Sequence, residues 1–558
     1  MGLKIRTRKI NGFLHKTQNT ILSAAFILAA ASGISAVLGL VKTRMLASYF
    51  GVSRNLAIFY TADKIPNLIY SIIIVGAIST VFIPVFTSLL TKDKGNAFEV
   101  ASSIINTTLV FFIFTALIFF LISPKIINLL AVGNFTADEV RLGSNLMRIM
   151  LVSQIFLVAG SLVTSVLQSF KYFIVPALAP IFYNVGMIIG IVFLSGKYGI
   201  YGPTIGVALG SLLHVGIQIP LLKKSGFKLY PTLRSSDKNY KKMFSLVPPR
   251  VASVLIANVI QTINNSLAII ISAQSVIYLK FSDQLQTFPV SLFGISMASA
   301  SLPTLSSQSE HDNKEKFKNT FLTSLHQMMY LVMPLSVILL ILRVPAVRIV
   351  YGVSNFPWES TIRTAQTLAF FSISIFSQSA NYLITRAFYA LKDTVTPVLI
   401  TVITAITNVT LSIIFVNVMK LGVWSIALSY TLTSLFDMFV LMYFLNKKVG
   451  GFNKEKLFIP FTKIGLATAS MGIMLYLPMK LLDQYIFDTT RTINLLALTI
   501  TAGLTGMGTY IFLTDIFKVK EIEVVKKFLK KLPMSKKEIS KKIDAEAIDL
   551  TTTEQETV

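Results

Sequence analysis

Leu38 to Phe50 reads LGLVKTRMLASYF, and Asp63 to Phe86 reads DKIPNLIYSIIIVGAISTVFIPVF; in both, cations or paired prolines interrupt otherwise lipid-soluble sequence. Charge held at membrane depth is costly and marks a pathway for something charged. The apolar setting extends through the whole chain. Of 558 residues, 53% are hydrophobic, and the mean hydropathy is +0.69, more than a water-soluble globule can bury. About 14 apolar stretches long enough to cross a bilayer as helix recur between Ile21 and Phe517. The fold class expected is an all-α polytopic membrane protein.

Orientation follows from where the 51 Lys+Arg outnumber the 25 Asp+Glu, because short basic loops stay cytoplasmic. Lys4, Arg6, Arg8, Lys9 and Lys16 precede the first span, Lys92 and Lys94 follow the second, and Lys223, Lys224 and Lys228 follow the sixth. Lys314, Lys316 and Lys318, then Lys447, Lys448, Lys454 and Lys456, keep the same parity. Both termini are therefore expected in the cytoplasm, and MGLKIRTRKINGFLHK reads as a cytoplasmic anchor, since the apolar segment after it is too long for a cleaved signal. Orientation and contact with anionic membrane lipids account for the basic excess, in preference to nucleic-acid binding.

Equivalent landmarks recur at a spacing of about 220 residues. Pro66 and Pro84 correspond to Pro289 and Pro303, and Pro176 and Asn184 correspond to Pro397 and Asn408. A repeat of six helices keeps both copies in one orientation, so parallel lobes related by an axis near the membrane normal are expected, with a cleft between them. The organisation read from the chain is a basic cytoplasmic N-terminus (1–20), an N-terminal six-helix lobe (21–222), a basic linker (223–242) and a C-terminal six-helix lobe (243–445). A loop (446–458), two additional helices (459–515) and a tail (516–558) follow; the tail is amphipathic over KVKEIEVVKKFLKKL and then polar and acidic. The four prolines Pro66, Pro84, Pro289 and Pro303 are candidate hinges for rocking-bundle alternating access, although each alone is explained by ordinary tolerance of proline where neighbours repair the lost hydrogen bond.

The residues then reach a family. SAVLGLVKTRMLASYFG followed by DKIPNLIYSIIIVGAISTVFIPVF resembles the amino-terminal signature of MurJ-type (MviN) lipid II flippases, of the multidrug/oligosaccharidyl-lipid/polysaccharide exporter superfamily. LQSFKYFIVPALAPIFYNVGMIIG, SDQLQTFPVSLFGISMASASLPTLS and RAFYALKDTVTP are further matches, and the resemblance runs over roughly residues 20 to 515. It implies a multi-pass protein of the bacterial cytoplasmic membrane, a transporter and not an enzyme. Its partner would be a polyprenyl-pyrophosphate-linked glycan, lipid II, moved from the inner to the outer leaflet. A monomer is expected.

Such a cargo needs a hydrated cationic cleft, and the candidate phosphate ligands are Lys42, Arg44, Lys64 and Arg250. Lys42 stands where the family usually has an arginine. Arg44 lies roughly 200° further around an ideal helix, so both cannot face one cleft without unwinding, and Lys42 is preferred. Alternatives stand beside these roles. Lys42 and Arg44 can snorkel to the outer interface, Lys64 can pair locally with Asp63, Arg250 can anchor near the cytoplasmic face, and Arg386 is read as an anchor at the cytoplasmic end of its helix. Against the family pattern, Ala36, Tyr70, Ser71 and Gln284 stand where arginines are common, and Val75 replaces an acid.

No phosphate loop, HExxH helix or nucleophile elbow is present, the chain has no cysteine, and its four histidines show no metal spacing. No cofactor is expected; membrane potential or a Na+ or H+ gradient would supply the energy, with Asp63 and Asp283 as possible coupling acids. The alternatives carried forward are a flippase for another polyprenyl-linked glycan, a cation-coupled drug antiporter of the same superfamily, and a transport-inactive membrane scaffold.

Overall fold

The computed structural model describes residues 21–74, 82–90, 92–233, 247–310, 313–489 and 491–523. The basic N-terminus 1–20, residues 234–242 of the linker, Val75 and the tail past 523 lie outside the described residues. All regular structure among the described residues is helical. Twelve of these helices are long and apolar enough to cross a membrane, against the 14 spans expected. The other two expected spans are accounted for differently. The one at 58–90 is divided among Arg54–Ala62, Lys64–Ile73 and Phe82–Leu90, and the one at 362–386 is the 33-residue helix Trp358–Ala390. That helix buries Ser360, Thr364, Ser372, Ser374, Ser377 and Ser379, which lowers its hydropathy. Most of these hydroxyls bond within the protein, as Ser372 does to the Leu368 carbonyl at 2.7 Å, while the Thr364 hydroxyl is buried without a partner.

Proline explains the division of the second span. Pro66 has no N–H for the Ala62 carbonyl, and helix Arg54–Ala62 ends there; Asp63 forms the joint and Lys64–Ile73 restarts the helix. Pro84 lies in the first turn of Phe82–Leu90, Pro289 ends Ser275–Pro289 ahead of the π-helical turn Val290–Ile295, and Pro303 lies within the continuous helix Ser296–Glu310.

The two halves of the chain repeat one pattern of pairing. Ile174–Ile189 packs on Ile21–Phe50 in the first lobe, as Val395–Ile413 packs on Val247–Ile271 in the second. Asn184 donates to the Ser35 carbonyl at 3.2 Å, and Asn408, its counterpart, accepts from Asn264 at 3.1 Å. Both helices end in a π-helical turn, Gly190–Leu194 and Ile414–Val418, and both are entered through a left-handed lysine, Lys171 (φ 61°) and Lys392 (φ 58°). The final pair, Lys454–Tyr485 and Thr492–Ile516, packs on itself and on Lys314–Ile341. Its own buried cluster includes Tyr330, Met471 and Tyr510.

Inside the first lobe, Ile174–Ile189 and Tyr201–Gly216 approach at glycine. A Cβ on Gly186 would lie 2.4 Å from the Gly210 Cα, and one on Gly190 2.3 Å from the Gly206 Cα. Small residues let transmembrane backbones come this close. Gly186→Val is expected to destabilise the lobe by roughly 1–3 kcal/mol, as overpacking does, seen as a lower unfolding temperature in detergent. Gly196→Val, where a Cβ meets nothing within 4 Å, serves as the control.

The lobes meet on the face opposite the basic loops. There the rings of Phe281 and Tyr351 stack at 4.2 Å, Phe356 lies against both, and Tyr60 of the first lobe meets Phe281 edge-on at 6.4 Å. One buried core therefore runs from the first lobe through Phe281, Tyr351 and Phe356. The second lobe's basic-loop end has a separate core around Phe317, Phe321 and Phe388.

Candidate substrate site

The helix break at Asp63 turns two charged side chains toward the lobe interface. Lys64 lines a cavity of about 390 Å³ with Asn258, Gln261, Asn265, Lys280 and Asp283. A smaller space of about 50 Å³ beside it is lined by Tyr60, Asp63, Lys64, Asn67 and Lys280 among others. The smaller space lies between the first lobe and Val247–Ile271 and Ser275–Pro289 of the second. The larger one takes Lys64 from the first lobe and is otherwise walled by second-lobe helices, Trp358–Ala390 and Trp424–Lys448 included. Lys42 does not line either space, but its ammonium lies 5.8 Å from the ring centre of Tyr183 and interacts electrostatically with Asp63 and Lys280. Asp63 in turn feels Lys280, Lys64 and Lys42, and Lys64 feels Lys280 and Asp283. Three cations and two acids thus form one cluster, with an excess of one positive charge.

The acids are engaged by amides. Asp63 accepts from Asn67, and Asp283 accepts from Gln286 at 3.0 Å. Among the described residues no lysine of the cluster reaches ion-pair distance of either carboxylate, so the ammonium groups keep donors for a ligand. The Asn264 Oδ1 and the Asn265 Nδ2, on the same wall, are buried without a partner. Lysines beside unpartnered amides suit an anionic, polar head group.

Of the sequence candidates, the structure brings Lys64, Asp63 and Asp283 together, with Lys42 beside them. Arg44 goes elsewhere: its guanidinium donates to the carbonyls of Ile349 and Val350, the latter at 3.0 Å, at the end of Arg343–Tyr351. Arg250 sits in the first turn of Val247–Ile271, and its side chain lies outside what is described. Two of the positions that depart from the family pattern have local partners. Gln284 accepts from the Thr43 hydroxyl at 2.7 Å and donates to the Gly39 carbonyl at 3.0 Å, while Tyr70 shares a hydrogen bond with Ser161 at 2.9 Å. Ala36 and Ser71 are half-buried.

Sequence reasoning missed Lys280. The available signal was a cation in YLKFSD, one helical turn before Gln284 and three residues before Asp283, within an otherwise apolar span. The placement of Arg44 gives a prediction. Arg44→Gln removes a charged donor from two carbonyls across the lobe interface, worth about 1.5–3 kcal/mol. Turnover in proteoliposomes should fall several-fold, while the half-saturating substrate concentration stays within twofold; a large rise in that concentration would return Arg44 to the binding site.

The family profile and the curated relatives agree on one family. The family profile described as "Lipid II flippase MurJ" matches residues 46–511. A probable lipid II flippase MurJ of Buchnera aphidicola is 26% identical over 497 residues, covering 87% of this chain and 95% of the relative. One of Thermotoga maritima is 28% identical over 500 residues, covering 88% and 95%. Among solved structures, a lipid II flippase MurJ in an inward closed conformation superposes with a TM-score of 0.73 at 24% identity, over 88% of this chain and 99% of that one. An inward-facing multidrug resistance MATE family transporter of the MOP superfamily shares the fold at a TM-score of 0.61 and 13% identity, over 76% of this chain and 98% of that one. The family match spans most of the chain, and the chain belongs to the lipid II flippase MurJ family.

Proposed function

We propose that this chain moves lipid II from the inner to the outer leaflet of the bacterial cytoplasmic membrane by alternating access, with both termini in the cytoplasm. The observation that carries the reading is the charged cavity between the lobes: a family member with Lys64 and Lys280 facing one polar space has a place for a pyrophosphate. Lys42 adds positive potential from the neighbouring helix. Because the basic loops are cytoplasmic by their charge, the aromatic closure around Phe281 lies toward the outer leaflet, and the cavity is then served from the inside.

The pyrophosphate enters beside Lys64 and Lys280 while the polyprenyl tail stays in lipid, which spares the tail any transfer to water. Opening of the Phe281 closure and closing of the cytoplasmic ends then exposes the head group outward. The hinges are Pro66 and Pro289, each at a change in helical geometry. Energy comes from membrane potential or a Na+ or H+ gradient, with Asp63 and Asp283 as the acids within reach of the site. The drug-antiporter alternative has support only from the shared fold of the MATE transporters.

The test is complementation of a strain depleted of its lipid II flippase, read as lipid II accessible at the outer surface. Restored accessibility is expected. A well-expressed chain that leaves lipid II inside would exclude this substrate and favour another polyprenyl-linked glycan.

A further inference from the structure

The second lobe contains another cavity, of about 400 Å³, that the charged cluster does not use. Its walls come from Val247–Ile271, Trp358–Ala390, Val395–Ile413 and Trp424–Lys448. Ile260, Tyr382 and Tyr430 line both this space and the 390 Å³ cavity, so the two adjoin. Two charged residues face it, Arg386 and Asp437.

Neither charge is neutralised by the other. Arg386 is half-buried, its guanidinium lies 5.8 Å from the ring centre of its own helical neighbour Tyr389, and among the described residues it has no ion-pair partner. Asp437 is also half-buried and accepts the Thr404 hydroxyl at 3.1 Å, which leaves most of its acceptor capacity unused. The amide of Asn381 donates to the Ser434 carbonyl at 3.1 Å, but its Oδ1 is buried without a partner. Ionic groups within a membrane lobe are expensive, and packing alone gives no reason to keep an arginine and an aspartate apart at one cavity. A ligand with a carboxylate at one point and an ammonium at another satisfies both.

We propose that this cavity is the subsite for a zwitterionic peptide carried by the translocated head group, its free carboxylate on Arg386 and its ammonium on Asp437. The inference rests on the function proposed above. With the pyrophosphate at Lys64 and Lys280, the peptide reaches the second space past Ile260, Tyr382 and Tyr430. A bare metal cation fits less well, since Arg386 would repel it from the same cavity.

The test uses the full chain in proteoliposomes and three polyprenyl-pyrophosphate disaccharides: one with a peptide bearing free carboxylate and ammonium groups, one with both groups capped as amides, and one with no peptide. For the unaltered chain, capping should weaken competition by about tenfold, the loss of one or two charge-assisted contacts. Arg386→Gln and Asp437→Asn should each lower transport of the uncapped lipid about tenfold and leave the peptide-free lipid within twofold, which also shows that the variants fold. Equal competition by capped and uncapped peptide, or equal loss on all three lipids, overturns the subsite. An unaltered chain that moves none of the three overturns the proposed function itself.

Discussion

Replacing Lys64 and Lys280 together by glutamine should abolish outward exposure of lipid II, with each single replacement weakening substrate affinity by about 10- to 100-fold. The size follows from the bond type: a contact between an ammonium and a phosphate oxygen in a partly dry site is worth about 1.5–3 kcal/mol. The double replacement does more than remove two contacts. Three lysines and two aspartates become one lysine and two aspartates, so the excess positive charge at the cavity turns negative and repels a pyrophosphate. Adding Asp63→Asn and Asp283→Asn to the double variant should therefore recover part of the lost affinity without restoring transport. The measurement is the half-saturating lipid II concentration in proteoliposomes, alongside surface accessibility in depleted cells. Transport near the unaltered level in the double variant would remove the cluster from the mechanism and favour the scaffold alternative.

The distribution of these charges explains what the sequence made legible. Membrane class and helical content follow from composition, and the parallel lobes follow from the paired prolines and asparagines, because a local helix-breaking effect keeps its place in each copy of a repeat. Lys64 could be singled out for the same reason: Pro66 breaks the helix beside it, and a cation at a break is visible in one dimension. Lys280 was not found because its local signal, a lone cation in YLKFSD, has no helix break beside it to mark it. Its importance comes from a neighbour in the other lobe, more than 200 residues away in the chain. Arg44 shows the opposite case. Its position in the apolar run gave it an intramembrane cation's prior, but only the folded chain brings the end of Arg343–Tyr351 to its guanidinium. Arg386 likewise sits near the end of its helix, as an anchor would, yet it lines a cavity of the second lobe.

Joining Ser48 to Asn355 should stop transport almost completely and reversibly. The Asn355 side-chain amide donates to the Ser48 carbonyl at 2.6 Å, bridging the first helix and the segment before Trp358–Ala390. Beside it Gly51 holds φ +54°, and a Cβ there would come within 2.1 Å of the Asn355 carbonyl oxygen, so the two segments touch backbone to backbone. Together with the Arg44 and Gln284 bonds and the Phe281 ring stack, this contact lies between the charged cavity and a polar vestibule of about 740 Å³ on the opposite face, lined by Tyr49, Gln274, Asn355 and Arg363 among others. A few neutral hydrogen bonds at about 1 kcal/mol each, with the stronger charged donor of Arg44, hold a closed state that a transport cycle can still open. A covalent link there cannot be opened. Because the chain has no cysteine, Ser48→Cys with Asn355→Cys places the only two thiols in the protein. Oxidation should reduce lipid II exposure more than tenfold, a reductant should restore it, and either single variant should be indifferent to both treatments. Full transport by the cross-linked protein would mean that the lobes need not part at this face, which rules out passage of the head group between Phe281 and Tyr60.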